Sequence, residues 1–141
     1  QEMCAIDVRD HSLRRVDSTP FPMDMDLLRP VVTAPCRRMK LKLGEECLVY
    51  SYQVRTMDTD LNHHMNNTNY IRLILDAQPS SFWDRYRVQE FDVHYVNESV
   101  EGEEIQVYCQ TEAQEMAVQI KRGETTLVKA FLQLAQREKS E

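Results

Sequence analysis

Hydrophobic and polar residues alternate along several stretches of this chain, with the period of two that is typical of β-strands. The first such stretch covers residues 47–56, where every second side chain is apolar. Similar stretches follow at residues 88–98, 104–111 and 116–121, and residues 125–136 are apolar on much of both faces. The pattern therefore predicts five strands, four of which follow one another at the end of the chain.

Between the first and second predicted strands, the pattern changes to that of a helix. Residues 67–79 are apolar almost all round, and only Arg72 and Asp76 form a polar edge, four residues apart and able to pair. Asn66 or Asn67 can cap the start of this helix, and a proline ends it. A helix with so little polar surface must be enclosed by other structure.

One buried helix followed by an antiparallel meander predicts the α+β class. The expected architecture is a curved antiparallel sheet wrapped around one central helix. Glycines stand at plausible turns between the predicted strands. Before the first strand, residues 17–35 hold four of the five prolines, which favours a linker, so the compact domain is expected to begin near residue 36.

The composition narrows the class of protein only a little. The chain has 141 residues, 42% of them hydrophobic and 28% charged, as in ordinary globular domains. No run approaches the ~18 apolar residues of a membrane helix. The net charge of -6 argues against general nucleic-acid binding. The four cysteines lack CxxC spacing and are expected to be reduced.

A dense polar segment, residues 58–70, opens the predicted helix and includes Asp60, Asn62 and His64. A helix N-terminus offers unpaired N–H groups and a partial positive charge, which can hold an oxyanion or a polarised carbonyl. Amide and imidazole side chains add donors there, and a carboxylate commonly orients an imidazole. The segment is therefore the candidate for chemistry, with Asp60 as the partner expected for His64.

Three other interpretations of this segment stay open. Asp and Asn are common turn and cap residues, which explains its asparagines without any function. The spacing of its first acidic residues resembles the start of an EF-hand calcium loop. Counted from residue 58, however, the sixth position of that loop is His63 instead of Gly, and the twelfth is Asn69 instead of Glu. A zinc site of His63, His64 and His94 would lack HxH or HxxxH spacing.

The same segment resembles a signature of the acyl-acyl carrier protein thioesterase family. The run D-L-N-H-H-M-N-N-T-N-Y-I is similar to the family's D-x-N-x-H-V-N-N-x-x-Y-I, and I-L-D-A-Q-P resembles its I-L-E-x-x-P. Further on, Y-V-N-E-S resembles the family's Y-R-R-E-C, and its Glu98 follows His64 by 34 residues, the family's separation. The residues of the first motif in register are Asp60, Asn62, His64, Asn66, Asn67, Tyr70 and Ile71.

The resemblance implies a hotdog fold and the hydrolysis of fatty acyl-acyl carrier protein thioesters. This reaction releases free fatty acid and ends fatty acid biosynthesis. No metal or organic cofactor is implied. The resemblance also implies two groups of site residues, a catalytic network of Asp60, Asn62, His64 and Glu98, and substrate contacts by Asn66, Asn67 and Tyr70. Acyl-CoA hydrolysis by a related hotdog enzyme and non-catalytic acyl binding are the alternatives.

The role of each catalytic residue is open at this point. Glu98, alone or together with His64, would activate water as a general base. Asn62 and N–H groups at the helix start would stabilise the oxyanion. Asp60 would orient His64 or act as a nucleophilic carboxylate. Ser99 stands where many relatives have Cys, so no obligatory thiol nucleophile is expected at that position.

Strand alternation disagrees with one of these assignments. If Phe91, Val93 and Tyr95 face the helix, the period of two points Glu98 away from it. Only a bulge, or the end of the strand, would turn Glu98 towards His64.

The family carries two hotdog domains in one chain, and this sequence resembles the second. Residues 1–16 resemble the last strand of the first domain, residues 17–35 the connection, and residues 36–141 the catalytic hotdog. A second hotdog, either the preceding half or another copy of this chain, is the expected partner. The expected compartment is the bacterial cytoplasm, with a plastid as the alternative, and no nucleic-acid or membrane partner is expected.

The acyl carrier protein is acidic, so it would need a basic patch on this acidic chain. The alternative is a solvated strand face. The candidate basic residues are Arg37, Arg38, Lys40, Lys42, Arg85 and Arg87.

Overall fold

The computed structural model describes residues 40–137, and also the backbone of two short strands near the start of the chain. These strands, β1 (Ala5–Ile6) and β2 (Leu13–Arg14), pair antiparallel. The chain divides into two units, Gln1–Pro35 and Cys36–Glu141, and the second contains all the features that follow.

The predictions for the start of the chain stay predictions. The predicted linker at residues 17–35 lies outside the described residues, as do Arg37 and Arg38 of the proposed basic patch. The origin of residues 1–16 in a preceding hotdog domain stays a prediction.

Five antiparallel strands form one open sheet in the second unit, in the order β3-β5-β6-β7-β4. All five strands were predicted by the hydrophobic pattern, four of them by alternation. The last three follow one another through tight turns, and the turn before β7 contains Gly123 in the left-handed region, with φ of 55°. The strands are β3 (Leu48–Gln53), β4 (Tyr86–Tyr95), β5 (Glu104–Glu112), β6 (Glu115–Arg122) and β7 (Thr125–Gln136).

The connection from β3 to β4 contains the helices, α1 (Asn67–Leu75) and α2 (Ser80–Trp83). The side chain of Asn66 caps α1 by accepting a hydrogen bond from the Thr68 N–H at 2.9 Å. The buried face of α1 packs into one core with side chains from every strand of the sheet. The predicted enclosure of this helix is confirmed, and the sheet curved around it is the hotdog fold.

The polar edge of α1 differs from the prediction. Arg72 pairs with Asp58, at 3.0 Å between Nη2 and Oδ1, and not with Asp76 on its own helix. Asp58 belongs to a 3-10 turn, Thr56–Asp58, that follows β3. A tertiary ion pair to a buried carboxylate therefore replaces the local pair that the helical spacing allowed.

Strand β4 ends at Tyr95, earlier than the predicted residue 98. The N–H groups of Val96 and Asn97 both donate to the carbonyl of Leu127, at 2.7 and 3.2 Å, so the regular ladder stops there. Glu98 therefore lies beyond the strand, where alternation no longer decides the direction of its side chain.

Within residues 40–137, no helix is long and apolar enough to cross a membrane.

Candidate active site

The polar segment folds into a tight turn immediately before α1. The Asp60 carboxylate accepts hydrogen bonds from two backbone N–H groups, that of Asn62 at 2.8 Å and that of His64 at 3.4 Å. The Asp60 N–H in turn donates to the His64 carbonyl at 2.9 Å. His63 takes the left-handed conformation that closes the turn, with φ of 63°. Asp60 therefore shapes the backbone that carries Asn62 and His64.

His64 and Glu98 are brought together because their two segments pair. His64 forms an antiparallel bridge with Val100, and the Met65 N–H donates to the Ser99 carbonyl at 2.8 Å. This pairing leaves His64 Nδ1 3.1 Å from Glu98 Oε2, with 34% and 68% of the two side chains exposed. Strand alternation would have pointed Glu98 away from the helix. Because β4 ends before Glu98, its side chain is free to turn towards His64.

The carboxylate that contacts the His64 ring is not Asp60, the partner expected because it is near in sequence. Glu98 contacts the ring, whereas Asp60 contacts the backbone of the turn. When the Nδ1 hydrogen of His64 is donated to Glu98, Nε2 is left as the proton acceptor of the ring. The pair can therefore accept a proton from a bound water.

Most of the N–H groups at the start of α1 are already occupied. Those of Asn66, Thr68 and Asn69 donate to acceptors within the segment. Among the described residues, none accepts a hydrogen bond from the Asn67 N–H or from the side-chain amide of Asn62. The expected set of oxyanion donors is therefore reduced to these two groups.

Tyr70 lies behind the site and not on its surface. Only 2% of Tyr70 is exposed, and its hydroxyl is hydrogen-bonded to the hydroxyl of Ser99, which has no exposed surface. Burial raises the pKa of the Tyr70 phenol above its ordinary value, so the phenol is neutral. In this structure the ring has no free face for the substrate contact that the resemblance implies, and it braces α1 against the segment that carries Glu98.

The sequence of residues 41–131, more than half of the chain, matches the family described as the acyl-ACP thioesterase C-terminal domain. The chain belongs to this family. A search of curated proteins gives no match.

Solved structures of similar fold include three thioesterases, and at these sequence identities the likeness establishes the fold alone. An acyl-ACP thioesterase from Bacteroides thetaiotaomicron has a TM-score of 0.69 and 22% identity, and the alignment covers 92% of this chain and 53% of that protein. The 12:0-ACP thioesterase from Umbellularia californica gives 0.65 and 18%, with 72% and 40% covered. A putative oleoyl thioesterase from Lactobacillus plantarum gives 0.64 and 20%, with 77% and 44% covered. This chain thus spans about half of the first relative and less of the other two.

The role of Asp58 in this domain was not predicted from the sequence pattern. Asp58 is buried to 3% exposure, and its carboxylate accepts hydrogen bonds from the Tyr52 hydroxyl at 2.7 Å and the Arg55 N–H at 2.8 Å. Its partner Arg72 lies on α1. The available signal was an arginine on a largely apolar helix, but the helical spacing offered Asp76 as its partner instead.

The alternative metal sites are not formed in the thioesterase domain as described. Over residues 40–137, no three His, Cys, Asp or Glu side chains are grouped so that they could hold a metal ion. His63 and His94 therefore do not join His64 in a cluster.

Proposed function

We propose that this chain is the catalytic hotdog domain of an enzyme that hydrolyses fatty acyl-acyl carrier protein thioesters and releases free fatty acid. The contact between His64 and Glu98 at the start of α1 carries this proposal. Membership of the acyl-ACP thioesterase family supports thioester hydrolysis as the reaction. The description of that family also supports the carrier protein as the proposed acyl donor, which would place the reaction at the end of fatty acid biosynthesis.

The His64–Glu98 pair supplies the base that thioester hydrolysis needs. Glu98 holds the ring through Nδ1, and Nε2 takes a proton from water while the water oxygen bonds to the carbonyl carbon. When the tetrahedral intermediate collapses, the carbon–sulfur bond breaks and the imidazolium returns the proton to the leaving sulfur. The products are a carboxylic acid and a thiol, so atoms and charge balance.

The negative charge that develops on the carbonyl oxygen is stabilised by preorganised hydrogen-bond donors. The free amide of Asn62 and the free N–H of Asn67 can supply two hydrogen bonds, and the positive end of the α1 dipole lies beside them. The Asp60 carboxylate accepts hydrogen bonds from two backbone N–H groups, which supports an orienting role for Asp60 over a nucleophilic one. The side chains of Asn66 and Asn67 would flank the bound thioester.

The exposure of the site supports a second hotdog unit as partner. Glu98 is two-thirds exposed, and the nearby turns carry Met57 and Leu61 with 91% and 100% exposure. An acyl chain needs an enclosed apolar pocket, which this surface alone does not provide. Another hotdog unit, in the same natural chain or in a second copy, would complete it.

The test is thioester hydrolysis by the complete natural chain. Fatty acyl thioesters of several lengths are offered on acyl carrier protein and on CoA. His64→Ala and Glu98→Gln should each lower turnover at least ~100-fold, the usual effect of losing a general base. Matched controls are His63→Asn, which tolerates the left-handed conformation, and Glu115→Gln, an exposed glutamate in β6. Both controls should keep the wild-type rate.

Two results would replace the proposal. Equal catalytic efficiency with CoA and carrier-protein thioesters would identify an acyl-CoA thioesterase instead. The absence of turnover with any substrate, in a folded protein that still binds acyl thioesters, would identify a non-catalytic acyl-binding domain.

A further inference from the structure

We infer that Asp58 is a positioning residue for this reaction, because it fixes the turn that carries His64 to both α1 and β3. The inference rests on the proposed function. Asp58 itself does not touch the substrate, since only 5% of its side chain is exposed. Asp58 precedes the motif that begins at Asp60, and it affects the reaction by holding the backbone of the turn in place.

The carboxylate of Asp58 joins three parts of the domain. One oxygen accepts hydrogen bonds from the Tyr52 hydroxyl of β3 at 2.7 Å and from the Arg55 N–H at 2.8 Å. The other oxygen accepts one from Arg72 of α1 at 3.0 Å. Arg72 also donates to the Tyr52 hydroxyl at 3.1 Å, so the three side chains form a closed network.

The backbone of Asp58 closes the catalytic turn from the other side. Its carbonyl accepts hydrogen bonds from the Asn66 N–H at 2.8 Å and from the Asn69 side chain at 2.9 Å. The next residue, Thr59, bridges to Met65. Both ends of the segment with Asp60, Asn62 and His64 therefore meet at this one residue.

This arrangement fixes the turn relative to the helix as well as closing it. Arg72 lies on α1 beyond the capped first turn, so its ion pair with Asp58 fixes the rotation of α1 against the stem of the turn. The distance between the free N–H of Asn67 on α1 and the ring of His64 in the turn depends on this rotation. A misplacement of about 1 Å between such groups can cost ~100-fold in rate.

The kinetic test uses the complete natural chain and the same thioester substrate. Asp58→Asn keeps the size of the side chain but removes its charge, and it should lower kcat ~10- to 100-fold with little change in KM. Arg72→Met should give a similar loss, and the double variant should lose no more than the worse single variant. Arg72→Lys, which keeps the positive charge, should recover part of the rate.

A destabilised control separates positioning from simple loss of fold. Gln119 on β6 is as buried as Asp58, and its side chain makes two hydrogen bonds, with the Leu43 N–H at 2.8 Å and with the Thr126 hydroxyl at 2.9 Å. Gln119→Leu should lower the melting temperature but leave kcat per folded molecule unchanged. If Asp58→Asn does not fold, the two Arg72 variants carry the kinetic comparison.

Amide hydrogen exchange tests the inference without any substrate. In Asp58→Asn or Arg72→Met, the N–H groups of Asp60, Met65 and Asn66 should lose protection, while those of Val118 and Ile120 in β6 keep it. Unchanged protection in the turn, or an unchanged kcat below the melting temperature, would overturn the inference. If the wild-type chain hydrolyses no thioester, the proposed function fails, and the exchange result alone decides the role of Asp58.

Discussion

Ser99 directly follows Glu98 of the proposed His64–Glu98 pair, yet its hydroxyl is completely buried. It is hydrogen-bonded to the Tyr70 hydroxyl and donates to the Met65 sulfur at 3.6 Å. Its backbone carbonyl holds the Met65 N–H. At the scale of single residues, Ser99 therefore supports the structure, although it lies next to a residue proposed to act in catalysis.

Ser99→Ala tests this separation. The change leaves the Tyr70 hydroxyl buried without its partner, so the free energy of unfolding should fall by about 1–3 kcal/mol. Turnover of the folded enzyme should stay within a few-fold of wild type, since no bond to the substrate is lost. Urea denaturation and steady-state kinetics measure the two effects. A loss of activity at unchanged stability would instead point to a direct catalytic role for Ser99.

The thiol of Cys109 gives a prediction of pH dependence. Burial in β5 raises the pKa of this thiol, although hydrogen bonds with Thr111 and Gln78 oppose the shift. The thiol is therefore more fully protonated near neutral pH than in the unfolded chain. Iodoacetamide should label Cys109 slowly in the folded protein, with a rate that rises at higher pH than in urea. Peptide mass mapping measures this, and fast labelling at neutral pH would contradict it.

At the scale of elements, the sequence was most informative where the pattern is local. Strand β7 occupies the predicted residues 125–136, and the cap of α1 is one of the two asparagines proposed. The end of β4 was missed, because it is set by hydrogen bonds to Leu127 on another strand. Asp58 was missed for a similar reason, since its partners come from β3 and α1. Local periodicity contains no information on such tertiary contacts.

Asn66→Ala tests the cap that starts α1. Loss of the hydrogen bond to the Thr68 N–H should lower the free energy of unfolding by about 1 kcal/mol. Asn66→Asp, which keeps an acceptor oxygen at the N-terminus of the helix, should retain most of that stability. Equal losses in the two variants would show that the cap does not stabilise the helix.

At the scale of the whole molecule, the net charge is negative, yet several basic side chains are exposed. Against the net charge of -6, Arg85 and Arg87 are both exposed around the start of β4, and Arg137 is exposed beside them, with its N–H donating to the Arg85 carbonyl at 2.8 Å. Lys40 and Lys42 are exposed as well. Arg85 and Arg87 would attract the proposed acidic carrier protein before its thioester enters the site.

The double charge reversal Arg85→Glu with Arg87→Glu tests this surface. The KM for the carrier-protein thioester should rise several-fold while kcat stays unchanged, because docking is weakened and the chemistry is not. Added salt should raise the wild-type KM and have less effect on the variant. A CoA thioester, which presents no protein surface, serves as the control substrate. An equal rise in KM for both substrates would contradict a docking role.

A double-mutant cycle on His64 and Glu98 tests whether the two side chains form the proposed base. It is measured as kcat/KM for a carrier-protein thioester with the complete natural chain. If the two side chains act as one base, His64→Ala and Glu98→Gln each cost at least ~100-fold, and the double variant loses little more than the worse single variant. Independent losses that multiply in the double variant, or a wild-type rate in either single variant, would contradict the account.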